Sequence, residues 1–394
     1  MTTKSVLICI ALLLQKALMA QVTVMSPEAQ ISVITCGPGT ELYSTFGHSA
    51  FRIKDPLNGL DRVYNYGTFN FNTPNFYVKF ARGKLLYELR AYDFGNFLRS
   101  YHEENRWVKE QVLDLKNEQV QQIYNFLENN AKPENRAYKY DFFYDNCSTK
   151  MMGVLEQALG NDLVFDPSFE KGKYTHRQLI QMYLGDLPWS DFGIDLALGS
   201  VIDREIPTKA YMFLPDYVLK GVGASKIKNA DQLIPMVRET NTILDSESNE
   251  NKVLGVRPFW LFSILAIAVI FISIRDFKHR TRNKLLDYML FLSTGLTGLV
   301  ILLLWFATDH SATANNLNIL WAFAPNVLFA FLINKNRAYY AHYILFLLAL
   351  LDLLAVMWIA RIQVFSIALI PILVLLNARY FYLWLYFKYR GKKK

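Results

Sequence analysis

A chain of 394 residues with 52% hydrophobic and 15% aromatic content and a mean hydropathy of +0.13 is too apolar for a wholly soluble protein, so membrane segments are expected beside a sizeable folded core. The formal charge of +8 invites a nucleic-acid reading, but the basic residues do not spread over a globular face. They gather at Arg275, Lys278, Arg280, Arg282 and Lys284, and again at Lys388, Arg390, Lys392, Lys393 and Lys394, each group beside an apolar run. That is the pattern of membrane topology signals, and it excludes nucleic acid as the expected partner.

Taken in order, Lys4, the apolar run 5–14 and the small Ala20 read as a secretory signal peptide over residues 1–20. An apolar run of about ten residues is too short to cross a bilayer core of ~30 Å. Leu18 at the minus-three position is imperfect, which leaves an uncleaved anchor open. Cys9 lies within the run, too early for a lipidation site. The exported domain, 21–228, then holds Cys36 and Cys147, and an exported domain permits a disulfide between them.

Residues 31–35 read as a buried strand broken by Cys36-Gly37-Pro38-Gly39. His48 opens an alternating run to Ile53; the turn composition of 54–59 and a second run over 63–71 complete a β-hairpin with His48 on one arm. Residues 85–92 and 107–115 give further strands, joined by a helical or loop segment over 93–106. Val120, Ile123, Tyr124 and Leu127 then form one face of a helix. The domain is therefore expected to be α+β with an antiparallel sheet.

An aromatic run, Tyr140 to Tyr144, reads as extended and ends in Asp145-Asn146. Cys147 then opens a segment (Met151, Met152, Val154, Leu155, Ala158, Leu159) with helical spacing. A thiol at a helix N-terminus meets unpaired N–H groups and the positive dipole end, which favour thiolate, the form a sulfur nucleophile needs. His48 is the base within the hairpin. Spacing alone leaves open a buried structural cysteine or a Cys36–Cys147 disulfide. Downstream, 174–183 reads as a helix with Thr175 and Gln178 at capping-box spacing and His176 as a surface or capping-region histidine in its first turn rather than a second base. Asp195, Asp203, Asp216 and Tyr217 lie in loops punctuated by Gly and Pro, where ordinary loop chemistry and ligand binding are both open. Residues 229–256 turn polar without periodicity and read as a juxtamembrane linker.

Five apolar stretches, about 258–274, 285–307, 317–333, 339–360 and 365–387, make 257–394 an all-α transmembrane domain of five helices. With the N-terminal domain outside, the loops 275–284 and 334–337 and the C-terminal tail are basic and inside; Arg361 is the exception. The outer loop holds Asp309, His310, Asn315, Asn316 and Asn318 near Trp305 and Trp321, a composition that fits a phospholipid headgroup site or a hydrated loop with an aromatic belt. Of these, His310, Asn318 and Trp321 join Asp195, Asp216 and Tyr217 as candidate substrate-binding residues. Asp352, Asn377 and Arg379 fall within apolar stretches and call for a pairing or a pathway, unless Arg379 snorkels to the inner interface.

Phe46-Gly47-His48-Ser49-Ala50-Phe51-Arg52 followed by Asp145-Asn146-Cys147 resembles the circularly permuted papain-like fold of NlpC-type hydrolases and lecithin-retinol acyltransferase. More closely, Thr35-Cys36-Gly37-Pro38-Gly39, the His48 and Cys147 motifs, Gly193-Ile194-Asp195-Leu196-Ala197-Leu198-Gly199 and Met212-Phe213-Leu214-Pro215-Asp216-Tyr217, in that order, resemble the lipoprotein N-acyltransferase family of Bacteroides-type bacteria. The resemblance implies Cys147 as nucleophile, His48 as general base, and Tyr66 or Asn65 on the following strand as the residue orienting His48. It also implies an inner-membrane enzyme with its N-terminal domain in the periplasm and its C-terminus in the cytoplasm. A phospholipid would be the acyl donor and the amine of a diacylated lipoprotein the acceptor, with no cofactor and no metal. An NlpC-type wall peptidase or amidase and a non-enzymatic, disulfide-bonded envelope module are the alternatives.

Overall fold

The computed structural model describes residues 23–229, 232–246, 255–335 and 337–390; the signal-peptide reading of 1–20 lies outside them. The chain runs β1 (Gln30–Cys36), β2 (His48–Asp55), β3 (Leu60–Thr68), α1 (Phe76–Ala81), β4 (Leu86–Asp93), α2 (Phe94–Glu103), β5 (Val108–Leu113), α3 (Asn117–Ala131), β6 (Ala137–Lys139) and α4 (Cys147–Leu159). It continues through β7 (Leu163–Val164), α5 (His176–Gln181), α6 (Pro188–Ala197), α7 (Pro215–Ala224), β8 (Lys226–Asn229), β9 (Gln232–Pro235) and β10 (Val237–Leu244). The helical domain holds α8 (Pro258–His279), α9 (Lys284–Phe306), α10 (Asn326–Leu332), α11 (Tyr340–Ile359) and α12 (Leu369–Arg390).

An antiparallel sheet ordered β10-β5-β1-β2-β3-β4-β6 organises the N-terminal domain, as the α+β reading expects. Both of its faces are covered, which is why β1 is buried along nearly its whole length instead of alternating. On one face Ile31, Val33, Phe51, Ile53, Tyr64 and Tyr66 pack with residues of α3, α4 and α7. On the other, Ile34, Cys36, Ala50 and Val63 pack with Phe94, Phe97 and Tyr101 of α2.

Two segments fold differently from their sequence expectation. Residues 232–235 and 237–244, read as part of a tether, form β9 and β10, and β10 pairs with β5 as an edge of the large sheet. Its polar composition is that of an edge strand facing water, with Arg238 and Glu239 outward. The aromatic run 140–144 is a tight turn closed by the Asp141–Asp145 bridge, not an extended segment.

The third apolar stretch is not one helix. Residues 317–335 run as two short 3-10 segments around α10, interrupted at Pro325, whereas among the described residues four other helices are long and apolar enough to cross a membrane. The broken segment still runs from one end of the bundle to the other: Leu317 N donates to Gln363 Oε1 at one end, and Arg282 donates to Asn334 Oδ1 at the other. Irregular backbone at membrane depth persists only inside protein. Gly298 provides that shelter, since a Cβ there would lie 1.8 Å from Ala322 O, and Asn326 is held by Thr294 and Tyr343. Arg379 is fully buried and pairs with Asp276 at 2.9 Å and Asp287 at 2.7 Å, joining α8, α9 and α12, while Asp352 and Asn377 face outward.

Candidate active site

Cys147 is the first residue of α4, directly after the N-cap Asn146. Asn146 Oδ1 accepts from the N–H groups of Ser148 and Thr149, and its amide nitrogen donates to the carbonyls of Phe142 (2.8 Å) and Phe213 (2.7 Å). The helix start is thereby fixed, and the N–H of Cys147 is the first-turn donor that the cap does not take. Strand β3 makes room for it. The β3–β4 register shifts between Asn65 and Thr68, and Gly67 adopts φ +86, with an added Cβ only 3.5 Å from Cys147 Cβ.

His48 opens β2, paired with Cys36 across β1. Its Nε2 meets Asn65 Oδ1 at 2.6 Å, and Asn65 Nδ2 donates to Tyr92 Oη at 2.6 Å. With the Asn65 oxygen toward the ring, Nε2 carries a proton and Nδ1 is the nitrogen left to serve the thiol. Burial raises the Cys147 pKa, but the His48 charge, a hydrogen bond with His48, the Ser49 N–H and the Ser148 hydroxyl outweigh it and bring it down from 9.0 to about 7. Burial disfavours the charged His48 ring, yet the Cys147 charge and hydrogen bonds with Cys147 and Asn65 hold its pKa above 6.5. The two residues therefore stabilise each other's charged forms, as a thiolate–imidazolium pair does.

Cys36 behaves oppositely. It is fully buried, and burial drives its pKa well above the ordinary thiol range. Both thiols are free, with no bond between them. Of the two orienting candidates, Asn65 meets His48, whereas the Tyr66 hydroxyl accepts from Asn130 at 2.8 Å within the large core.

The other candidates lie elsewhere. Asp195 is buried in an ion pair with Arg177 (2.7 Å), which also binds Asp203 (2.7 Å) and the carbonyls of Leu198 and Gly199. Asp216 accepts from Tyr183 Oη at 2.9 Å, and Tyr217 is part of the large core. Asn318 Nδ2 donates to the carbonyls of Asp195 and Leu196, Trp321 Nε1 donates to Asn318 Oδ1 at 2.8 Å, and Asn316 Nδ2 donates to Leu196 O and Ala197 O. These side chains fasten the loop after α9 to the C-terminal end of α6. His310 Nε2 donates to Ala81 O at 3.2 Å. His176 is buried against Phe143 and Phe213, not at the surface, and burial pushes its pKa down to about 4.

The same loop reaches the thiol's own segment. Ser311 Oγ donates to Asp141 Oδ2 at 2.6 Å, Lys139 pairs with Asp309 at 3.0 Å, and Ala312 packs into the core that contains Cys147. Tyr92, Ser148 and Ser311 were not among the candidates read from sequence. Tyr92 could be found only through the β3–β4 register, where its neighbour Val63 precedes Asn65 by two positions. Among the described residues no group of three or more His, Cys, Asp or Glu side chains is placed to hold a metal ion.

Residues 19–181 match a family model described as the Lnb N-terminal periplasmic domain, and residues 248–391 match one described as the Lnb transmembrane domain, named for five transmembrane helices. That description counts five helices; among the described residues four are long and apolar enough to cross a membrane, and the broken segment 317–335 is a further apolar stretch. No curated protein and no solved structure matches the chain.

Proposed function

Because the chain belongs to the Lnb family, carrying its periplasmic and transmembrane domains in order, we propose that it is an inner-membrane cysteine N-acyltransferase that moves a fatty acyl chain from phospholipid, through Cys147, to the N-terminal amine of diacylated lipoproteins. The observation that carries this reading is a thiol at the first position of α4, paired with His48 that lowers its pKa, in a domain whose active-site segment is fastened to a loop between apolar helices. Such placement suits donor esters that lie at the bilayer interface. The sequence resemblance supplies the lipoprotein acceptor.

In the first half, the Cys147 thiolate attacks the ester carbonyl carbon. The bond to the glycerol oxygen breaks, and the His48 imidazolium gives its proton to the departing alkoxide, leaving lysophospholipid and a Cys147 thioester. In the second half, the acceptor amine attacks the thioester and loses its proton to neutral His48. The amide forms and the thiolate is restored beside the imidazolium. Negative charge on the carbonyl oxygen develops in both halves next to the Cys147 N–H, at the positive end of the α4 dipole. Asn65 holds the ring so that Nδ1 exchanges these protons.

Mass spectrometry of lipoprotein N-termini from cells carrying wild type or Cys147→Ala tests this reading. The amide-linked acyl chain is expected only with wild type; equal N-acylation in both contradicts it.

A further inference from the structure

Between β3 and β4 the chain leaves the sheet over residues 69–85 and exposes an aromatic surface. Phe71, Tyr77, Val78 and Phe80 are 67%, 79%, 59% and 54% exposed, and Phe69 is 37% exposed. The rings form one cluster: Phe69 contacts Phe71 at 4.9 Å and Phe76 at 5.7 Å, and Phe76 contacts Tyr77 at 5.3 Å and Phe80 at 6.4 Å. A contiguous apolar surface of this kind on an exported domain marks an interaction site. Lys79, Arg82 and Lys84 are interleaved with it, the composition of an element that lies in a headgroup boundary.

Its position says what covers it. Asp309 N donates to Arg82 O at 2.9 Å and His310 Nε2 to Ala81 O, so α1 rests on the loop that immediately follows α9. That helix ends in Trp305 and Phe306 at the periplasmic surface, and Phe306 is itself exposed. The aromatic surface is thus continuous with the lipid-facing side of the bundle. It also leads inward. Phe69 contacts Tyr87 at 5.4 Å, Tyr87 stacks on Tyr140 at 4.3 Å, and the Tyr140 ring reaches the side of Gly67 that Cys147 Cβ also approaches.

We propose that residues 69–84 are seated in the periplasmic leaflet and that Phe69, Tyr87 and Tyr140 line the path by which a phospholipid ester passes from that leaflet to Cys147. The leaflet seat stands on the exposure and continuity of the surface; the path rests on the acyl-transfer reading. Rings along such a path give an acyl chain apolar contact while water is excluded from the thioester. The basic residues favour an anionic headgroup at its entrance.

Two measurements on the full chain test the proposal. A nitroxide is placed at Phe71→Cys or Tyr77→Cys in a Cys9→Ala, Cys36→Ala, Cys147→Ala background, in vesicles of phosphatidylethanolamine and phosphatidylglycerol. Spin relaxation by oxygen is expected to exceed that by a water-soluble nickel chelate severalfold, with the reverse at Leu57→Cys, in the β2–β3 turn far from His48. In the Cys147-containing protein, Phe71→Glu, Tyr77→Glu and Phe80→Glu together are expected to reduce acyl loading from vesicles at least tenfold while leaving Cys147 alkylation by iodoacetamide unchanged. Labels at 71 and 77 as open to nickel as that at 57 overturn the leaflet seat, and undiminished loading in the triple variant overturns the path. Oxygen-favoured labels with no loading in the parent chain count against acyl transfer itself and leave the seat standing.

Discussion

His48 Nε2 stands 2.6 Å from Asn65 Oδ1, so the imidazole that interacts with Cys147 is held through its other nitrogen by a side chain of β3. Tyr92 behind it accepts from the Asn65 amide nitrogen at 2.6 Å and holds that side chain in place. Asn65→Ala removes a buried bond to a ring that becomes charged, worth about 1–3 kcal/mol, and is expected to slow thioester formation by about five- to 150-fold. Tyr92→Phe is expected to cost less, because Asn65 remains. An Asn65→Ala rate within twofold of wild type in single-turnover loading would remove Asn65 from the chemistry.

The electrostatics set the pH dependence. Cys147 is lowered to about 7, so the thiolate is lost as pH falls through that value, and alkylation of Cys147 should reach half its maximum near pH 7 rather than near 9. The His48 proton, held above its usual range, is coupled to the thiol, so the midpoint belongs to the pair. His48→Ala removes the largest stabilisers of the thiolate and leaves burial, which moves the midpoint upward past the ordinary thiol value. Cys36 should stay unreactive over the same range. An unshifted midpoint in His48→Ala, read by mass-resolved iodoacetamide kinetics, would show that His48 does not activate the sulfur.

Much of this site was legible because its signals are local. The hairpin bearing His48 and the helix opening at Cys147 each follow from periodicity and punctuation within a dozen residues, and both elements begin where that pattern places them. Choosing Asn65 over Tyr66 was not legible, since neighbouring strand residues face opposite sides and only the β2–β3 pairing shows which side His48 shares. The structural partners of Asn318 were hidden for another reason. A buried amide that binds backbone carbonyls and an amide that binds a headgroup have the same composition, and only the fold reveals the α6 carbonyls beside it. The break in the third apolar stretch was hidden because an apolar run does not state whether its backbone is regular.

Asp195 is expected to act through stability. Arg177→Leu leaves Asp195 and Asp203 buried without their cation and should cost about 3–5 kcal/mol. Asp195→Asn should be milder, lowering the thermal midpoint of the full chain in detergent while leaving the pH midpoint of Cys147 alkylation unchanged. Normal stability with a selective rise in KM for lipid would instead return Asp195 to the substrate.

The transmembrane domain offers a separate check. Gly298→Val would drive a side chain into the carbonyl of Ala322, against backbone that cannot swing aside as a flexible side chain does. Folded yield by size-exclusion chromatography is expected to fall sharply, whereas Gly153→Ala, with open space around its site, should be neutral. A well-folded Gly298→Val protein would contradict the close packing of the broken segment on α9.

Trapping the intermediate reaches the centre of the account. Purified full-length protein is mixed with phospholipid and no amine acceptor, and intact-mass and peptide spectrometry follow Cys147. A hydroxylamine-labile fatty acyl group on Cys147, one equivalent of lysophospholipid, and discharge as an amide when a diacylated lipopeptide is added are the expected results. No acyl-Cys147 in acceptor-free mixtures, with lysophospholipid forming only once acceptor is present, would contradict the covalent route through this thiol.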